Sequence, residues 1–196
     1  LAVMLSVTDQ SVHTEQQTLI DSFKNVGDNS EFDDSVQAVV SIAGPHNLAT
    51  HYFQNSNTNE MYNNFLGVSP VDENDLVYAQ ASPTYFIDPE SATIPHLIIG
   101  SSEDNFVSSK QACELKLALE TAGGSPTMLL YTEAEHQSYV ELRGVAHLIT
   151  GRNVIDTIAN IFNFTDFHFK SGADPYTHYT VPIIDQPACE VILNAS

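Results

Sequence analysis

The chain has 196 residues, 42% of them apolar, which is enough for one domain with a sizeable core. Its 25 acidic residues against 6 basic ones give a net charge of −19. That balance argues against a nucleic-acid partner and against docking on an anionic membrane surface. The acids are spread along the chain and form no block, so they read as a solvating surface rather than an interaction tail. No run is long enough to predict membrane insertion.

Residues 1–8, beginning Leu1-Ala2-Val3-Met4-Leu5, read as the later part of a buried helix of small residues. The apolar pattern is already under way at Leu1, as in a chain cut from something longer. A polar loop follows, then a short helix over Thr18–Val26 and a loop of turn formers over Gly27–Asp34. Val36–Gly44 is β-branched and nearly all apolar, and it closes on Gly44-Pro45. This is the pattern of a strand buried on both faces. Residues 45–94 are a long polar excursion with short helices expected at His51–Phe53, at Met61–Leu66 and over Val71–Ala79, the last capped by Ser69 or Asp72. Excursions of this length between strands often roof an active site.

Pro95 opens a second strand, His96–Gly100. A helix is expected from Ser108 or Ser109 to Ala122, with Leu115, Leu117 and Leu119 and the alanines Ala112, Ala118 and Ala122 as its apolar face and Gly123-Gly124 as its stop. Thr127–Thr132 is the third strand. Asn153–Phe162 carries apolar residues at helical spacing. Residues 163–196 read as an irregular tail in which Val181–Ile184 and Val191–Leu193 are candidate short strands. Cys113 and Cys189 are too few for a disulfide framework or a zinc site. One bridge pinning the tail to the helix and two separate buried thiols both remain open. The glycosylation sequons at Asn163 and Asn194 carry little weight.

Strand, excursion, strand, helix, strand and helix make an α/β pattern with a parallel sheet. Right-handed crossovers place all three strand ends on one edge, where ligands bind and catalytic groups sit. Asp104 follows the second strand and His136 follows the third. Adjacent strands lie about 4.8 Å apart, so their terminal loops bring a carboxylate within reach of an imidazole. An Asp accepting from His Nδ1–H fixes the tautomer and leaves Nε2 as a base. The plainer alternative is that Asp104 caps the next helix and His136 is a loop histidine. His147, among apolar neighbours, is the rival base. His46 either lines the site or serves the Gly44-Pro45 turn. His13, His51, His96, His168 and His178 show no partner spacing. No HExxH and no Cys/His cluster predicts a metal site, and no glycine loop predicts a phosphate site. Gly-x-Ser-x-Gly does not occur. Ser6, Ser41 and Ser138 lack such a setting, and Ser101 and Ser102 are expected to compete for Asp104.

The order and texture of Val36–Leu48 (VQAVVSIAGPHNL), Ala81–Phe86 (ASPTYF), Ile94–Val107 (IPHLIIGSSEDNFV) and Leu129–Tyr139 (LLYTEAEHQSY) resemble the C-terminal half of an α/β-hydrolase. The branch they resemble is that of esterases, lipases and feruloyl-esterase-like carboxylesterases. The resemblance implies a partial α/β-hydrolase fold, three-layer α/β/α with a mostly parallel sheet, in which the last three core strands are present. It covers residues 1–162, with 45–94 as a cap-like excursion and 163–196 as the irregular tail. It implies that Asp104 is the triad acid and His136 the triad base. It implies a start just after the nucleophile elbow, so that nucleophile and oxyanion hole lie outside the chain and the chain alone is inactive. The family usually has glycine before the base, and here Glu135 adds a negative charge.

The expected function is that of a serine carboxylic ester hydrolase acting on a small-molecule ester, with no cofactor and no metal. A serine peptidase of the prolyl-oligopeptidase type and a non-catalytic binding protein that keeps the fold are the alternatives. A secreted or periplasmic location is favoured over a cytoplasmic one.

Overall fold

The sheet is built outward from its middle strand. This computed structural model describes residues 3, 4, 6, 36–131, 136, 159–165, 167–168 and 189–194. Strand β1 is Val39–Ile42, β2 is His96–Ser101 and β3 is Thr127–Tyr131. Their order is β1-β2-β3 and both pairings are parallel, with Ile98 beside Ser41 on one side and Met128 on the other. Every residue of β2 is buried, as expected for the centre of a parallel sheet covered on two faces. Its alternation decides the layers. Ile98 joins Val39 and Met128 on one face, under Ala112, Cys113, Leu115 and Leu119 of a helix. Leu97 and Ile99 point the other way, to Phe164 and Ile161. Helices on both faces of a parallel sheet give a partial α/β fold.

β1 is shorter than the apolar run predicts, and it alternates buried with half-buried residues. The strand ends because Ala43 turns into the left-handed region at φ 47° while its N–H still donates to the Ile99 carbonyl at 2.8 Å. A Cβ on Gly44 would crowd the His46 ring and the Ser41 hydroxyl.

The excursion folds as α1 (Leu48–Gln54), α2 (Asn59–Leu66) and α3 (Leu76–Gln80), with a 3-10 turn over Pro83–Phe86. α3 starts later than predicted. Asp75, not Ser69 or Asp72, is its cap, accepting from the Val77 and Tyr78 amides, while Asp72 accepts from Asn74 N–H in a turn of its own. Two Asp residues three positions apart offer the same cap chemistry, and only burial of Tyr78 selects the second.

α4 is Ser109–Thr121, capped by the Ser108 hydroxyl. Gly123 ends it at φ 95°, and a Cβ on Gly124 would run into the Ala92 carbonyl. Its buried face includes Gln111, which the apolar pattern does not predict. Gln111 Oε1 accepts from the His46 and Asn47 amides, both at 2.9 Å, so α4 holds the loop that follows β1.

Residues 191–193 are not a strand: α5 spans Cys189–Asn194. Cys189 is bonded to Cys113 of α4 with Cα atoms 5.3 Å apart, which settles the choice left open by the sequence. Ile192 and Leu193 pack on the same core at helical spacing from Cys189. Residues 159–165 are helical, three residues past the predicted end at Phe162. Val3, Met4 and Ser6 are helical as predicted. The predicted helix at 18–26, the loop at 27–34, Glu135, His147 and the candidate strand at 181–184 lie outside the described residues.

Candidate active site

The loop after β2 delivers Asp104 to the C-terminal edge of the sheet. Its carboxylate is fully buried, which only partners make tolerable. Oδ1 accepts from the Phe106 N–H at 2.9 Å and the Val107 N–H at 2.8 Å. Oδ2 is 2.9 Å from His136 Nδ1. The two readings of Asp104 are therefore both present in one side chain: one oxygen organises the turn before α4, and the other takes the imidazole. Because Oδ2 faces Nδ1, the proton belongs on Nδ1 and Nε2 is left as an acceptor. The His136 side chain is 29% exposed, so a reactant can approach the ring. The Phe106 ring lies against it, centroids 4.9 Å apart and planes at 42°.

Ser101 does not compete for the acid. Its hydroxyl accepts from Glu103 N–H at 3.1 Å. Other serines near the sheet are also engaged. The Ser6 hydroxyl donates to the Val3 carbonyl, and Ser41 pairs with His46 Nε2 at 3.0 Å. Among the described residues, no group of His, Cys, Asp and Glu could hold a metal, and no helix is long and apolar enough to cross a membrane.

His46 does not join the pair. It is buried against Ser41 and borders a small cavity with Gly44, Gly100 and Ser108. Its Nδ1 has no partner among the described residues. Burial pushes its pKa down from 6.5 to about 3. A lowered pKa means that the unfolded chain binds the proton first. The stability His46 contributes is complete above pH 6.5 and is lost as pH falls from there towards 3. Between pH 7 and pH 5 the unfolding free energy is expected to drop by about 2 kcal/mol from this residue. Denaturant unfolding of wild type and His46→Asn at the two pH values measures it. Equal pH dependence in both would remove the assignment.

Sequence reasoning missed His51. It is fully buried on α1, with Nε2 at 3.0 Å from the Phe106 carbonyl and Nδ1 at 2.7 Å from the Tyr62 hydroxyl. Its partners are scattered along the chain, so no local spacing announces them.

Residues 1–119 match the BD-FAE family, a span that contains Asp104 and stops before His136. The fold is similar to that of Pyrococcus horikoshii acylaminoacyl peptidase in an orthorhombic crystal form, with a TM-score of 0.50 and 19% identity over 73% of this chain. The chain spans 22% of the length of that protein. A comparison with curated proteins gives no match. With the family matched over more than half of its length, the chain belongs to BD-FAE, a feruloyl-esterase-like α/β-hydrolase family.

Proposed function

We propose that the chain supplies the acid and base of a Ser-His-Asp triad in a carboxylic ester hydrolase. The observation that carries this reading is the 2.9 Å contact of His136 Nδ1 with an Asp104 carboxylate whose other oxygen is already held by two amides. Asp104 orients the ring. His136 Nε2 takes the proton of a serine hydroxyl as that oxygen attacks the acyl carbon, and returns it to the leaving alcohol. The serine belongs to a nucleophile elbow that none of the described residues forms, and the oxyanion hole consists of backbone N–H groups beside it. The excursion shapes the acyl or alcohol pocket. Phe53, Met61 and Phe65 are exposed apolar side chains on it, which suits that role. No cofactor takes part. The Cys113–Cys189 bridge favours a secreted or periplasmic setting.

The solved neighbour is an acylaminoacyl peptidase, so amide cleavage is the competing reading. The test uses the protein that contains this chain, on p-nitrophenyl acetate and on an N-acetylaminoacyl p-nitroanilide, with and without an organophosphorus fluoride. Ester turnover that the fluoride abolishes, with the anilide much slower, is expected. A faster anilide would transfer the reading to a peptidase, and ester turnover indifferent to the fluoride would remove the serine mechanism.

A further inference from the structure

We propose that His51 is a positioning residue for the Asp104–His136 pair, holding the acid loop by the Phe106 carbonyl while Tyr62 fixes its tautomer; this rests on the hydrolase reading above. A carbonyl only accepts, so His51 Nε2, 3.0 Å from Phe106 O, carries the hydrogen. In the neutral ring Nδ1 is then an acceptor, and the Tyr62 hydroxyl at 2.7 Å donates to it. Two facts support that assignment. Burial lowers the His51 pKa from 6.5, which favours the neutral ring. Burial also raises the Tyr62 hydroxyl to about 12, so it keeps its proton.

Phe106 is gripped on three sides. Its N–H donates to Asp104 Oδ1. Its carbonyl accepts from His51 and, at 2.6 Å, from Asn55 Nδ2. Its ring rests against His136. With its N–H held by Asp104 and its carbonyl by His51 and Asn55, the φ and ψ of Phe106 are both fixed, and with them the point from which its ring meets His136. A buried histidine serving the core alone has no need of this address. His51 touches neither Asp104 nor His136 by hydrogen bond, so its effect passes through Phe106. Misplacement of a catalytic group by about 1 Å is enough to lower turnover on the order of a hundredfold.

The experiment measures kcat and KM on p-nitrophenyl acetate, and the NMR signal and solvent exchange of the His136 Nδ1 proton, in the full protein. The variants are His51→Leu, His51→Gln and Tyr62→Phe, with thermal unfolding as a control. His51→Leu is expected to lower kcat by about tenfold to a hundredfold at constant KM, and to speed exchange of the Nδ1 proton. His51→Gln, whose amide N–H stands where imidazole Nε2–H stood, is expected to restore most of both. Tyr62→Phe keeps the ring and lowers kcat by about threefold. A folded His51→Leu with wild-type kcat and proton signal would overturn the proposal. So would a His51→Gln as impaired as His51→Leu. If His51→Leu does not fold, an unchanged Tyr62→Phe overturns it instead. Asp104→Asn run alongside separates the two claims. Full activity in that variant would remove Asp104 from the proposed triad, whereas the His136 Nδ1 proton signal in the His51 variants, where Asp104 is intact, still reports on His51.

Discussion

Asp104→Asn, in the protein that contains this chain, is expected to lower kcat/KM for a short-chain ester by about four orders of magnitude with KM little changed. The direction follows from the split duty of the carboxylate. Oδ1 must go on accepting from the Phe106 and Val107 amides. The asparagine carbonyl therefore takes that position and its NH2 is forced towards His136. A donor facing Nδ1 makes Nδ1 the acceptor and puts the ring hydrogen on Nε2, where the base should be. The loop keeps its shape while the ring holds the wrong tautomer. His136→Ala removes the base altogether and is expected to lose as much. His147→Ala is expected to retain most activity. Activity that survives loss of His136 but not of His147 would reverse the assignment of the base.

Reduction of the Cys113–Cys189 bridge is the largest expected change in stability. The bridge joins positions 76 residues apart, and in the chain-entropy account closing such a loop stabilises the native state by about 4 kcal/mol. For a chain of this size that corresponds to a fall in Tm of roughly 10 °C. Dithiothreitol should produce the fall in the wild type and none in Cys113→Ala/Cys189→Ala, which should already melt at the lower temperature. Both sulfurs are buried against the core of α4 and β3, so the double variant also loses packing. An identical Tm with and without reductant in the wild type, at a reductant level shown to free both thiols, would refute the contribution.

The parts of the fold that the sequence made legible are those where one physical signal stood alone. β2 is an unbroken apolar run behind a proline, and its observed span exceeds the predicted one by Ser101 only. Topology makes Asp104 and His136 neighbours, because consecutive parallel strands end on one edge, but it leaves a helix cap and a loop histidine as the plainer reading. The resemblance to hydrolases favours the pair, and in the structure Oδ2 and Nδ1 lie 2.9 Å apart. Legibility failed where two signals were equal or where a partner was remote. Val191–Leu193 is apolar and too short for periodicity to separate helix from strand. The Cys189 bridge and the packing of Ile192 and Leu193 decide for the helix. Asp72 and Asp75 are equal as caps until Tyr78 is buried. The ending of β1 at Ala43 is a backbone event with no residue signature. His51 reads as a histidine of a short helix with no partner spacing because Phe106 lies 55 residues further on. Gln111 reads as a surface residue of α4 because the amides it satisfies belong to the β1 loop.

The acid and the base stand in different covalent situations. Asp104 precedes Cys113, on open chain, whereas His136 falls between Cys113 and Cys189 and so sits on a closed ring of polypeptide. A protease that cuts once inside that ring leaves the two products tethered through sulfur. Under non-reducing conditions such a nicked protein migrates as one species that still carries both halves of the pair, and only a thiol releases them. The bridge converts a severing cut into a local one.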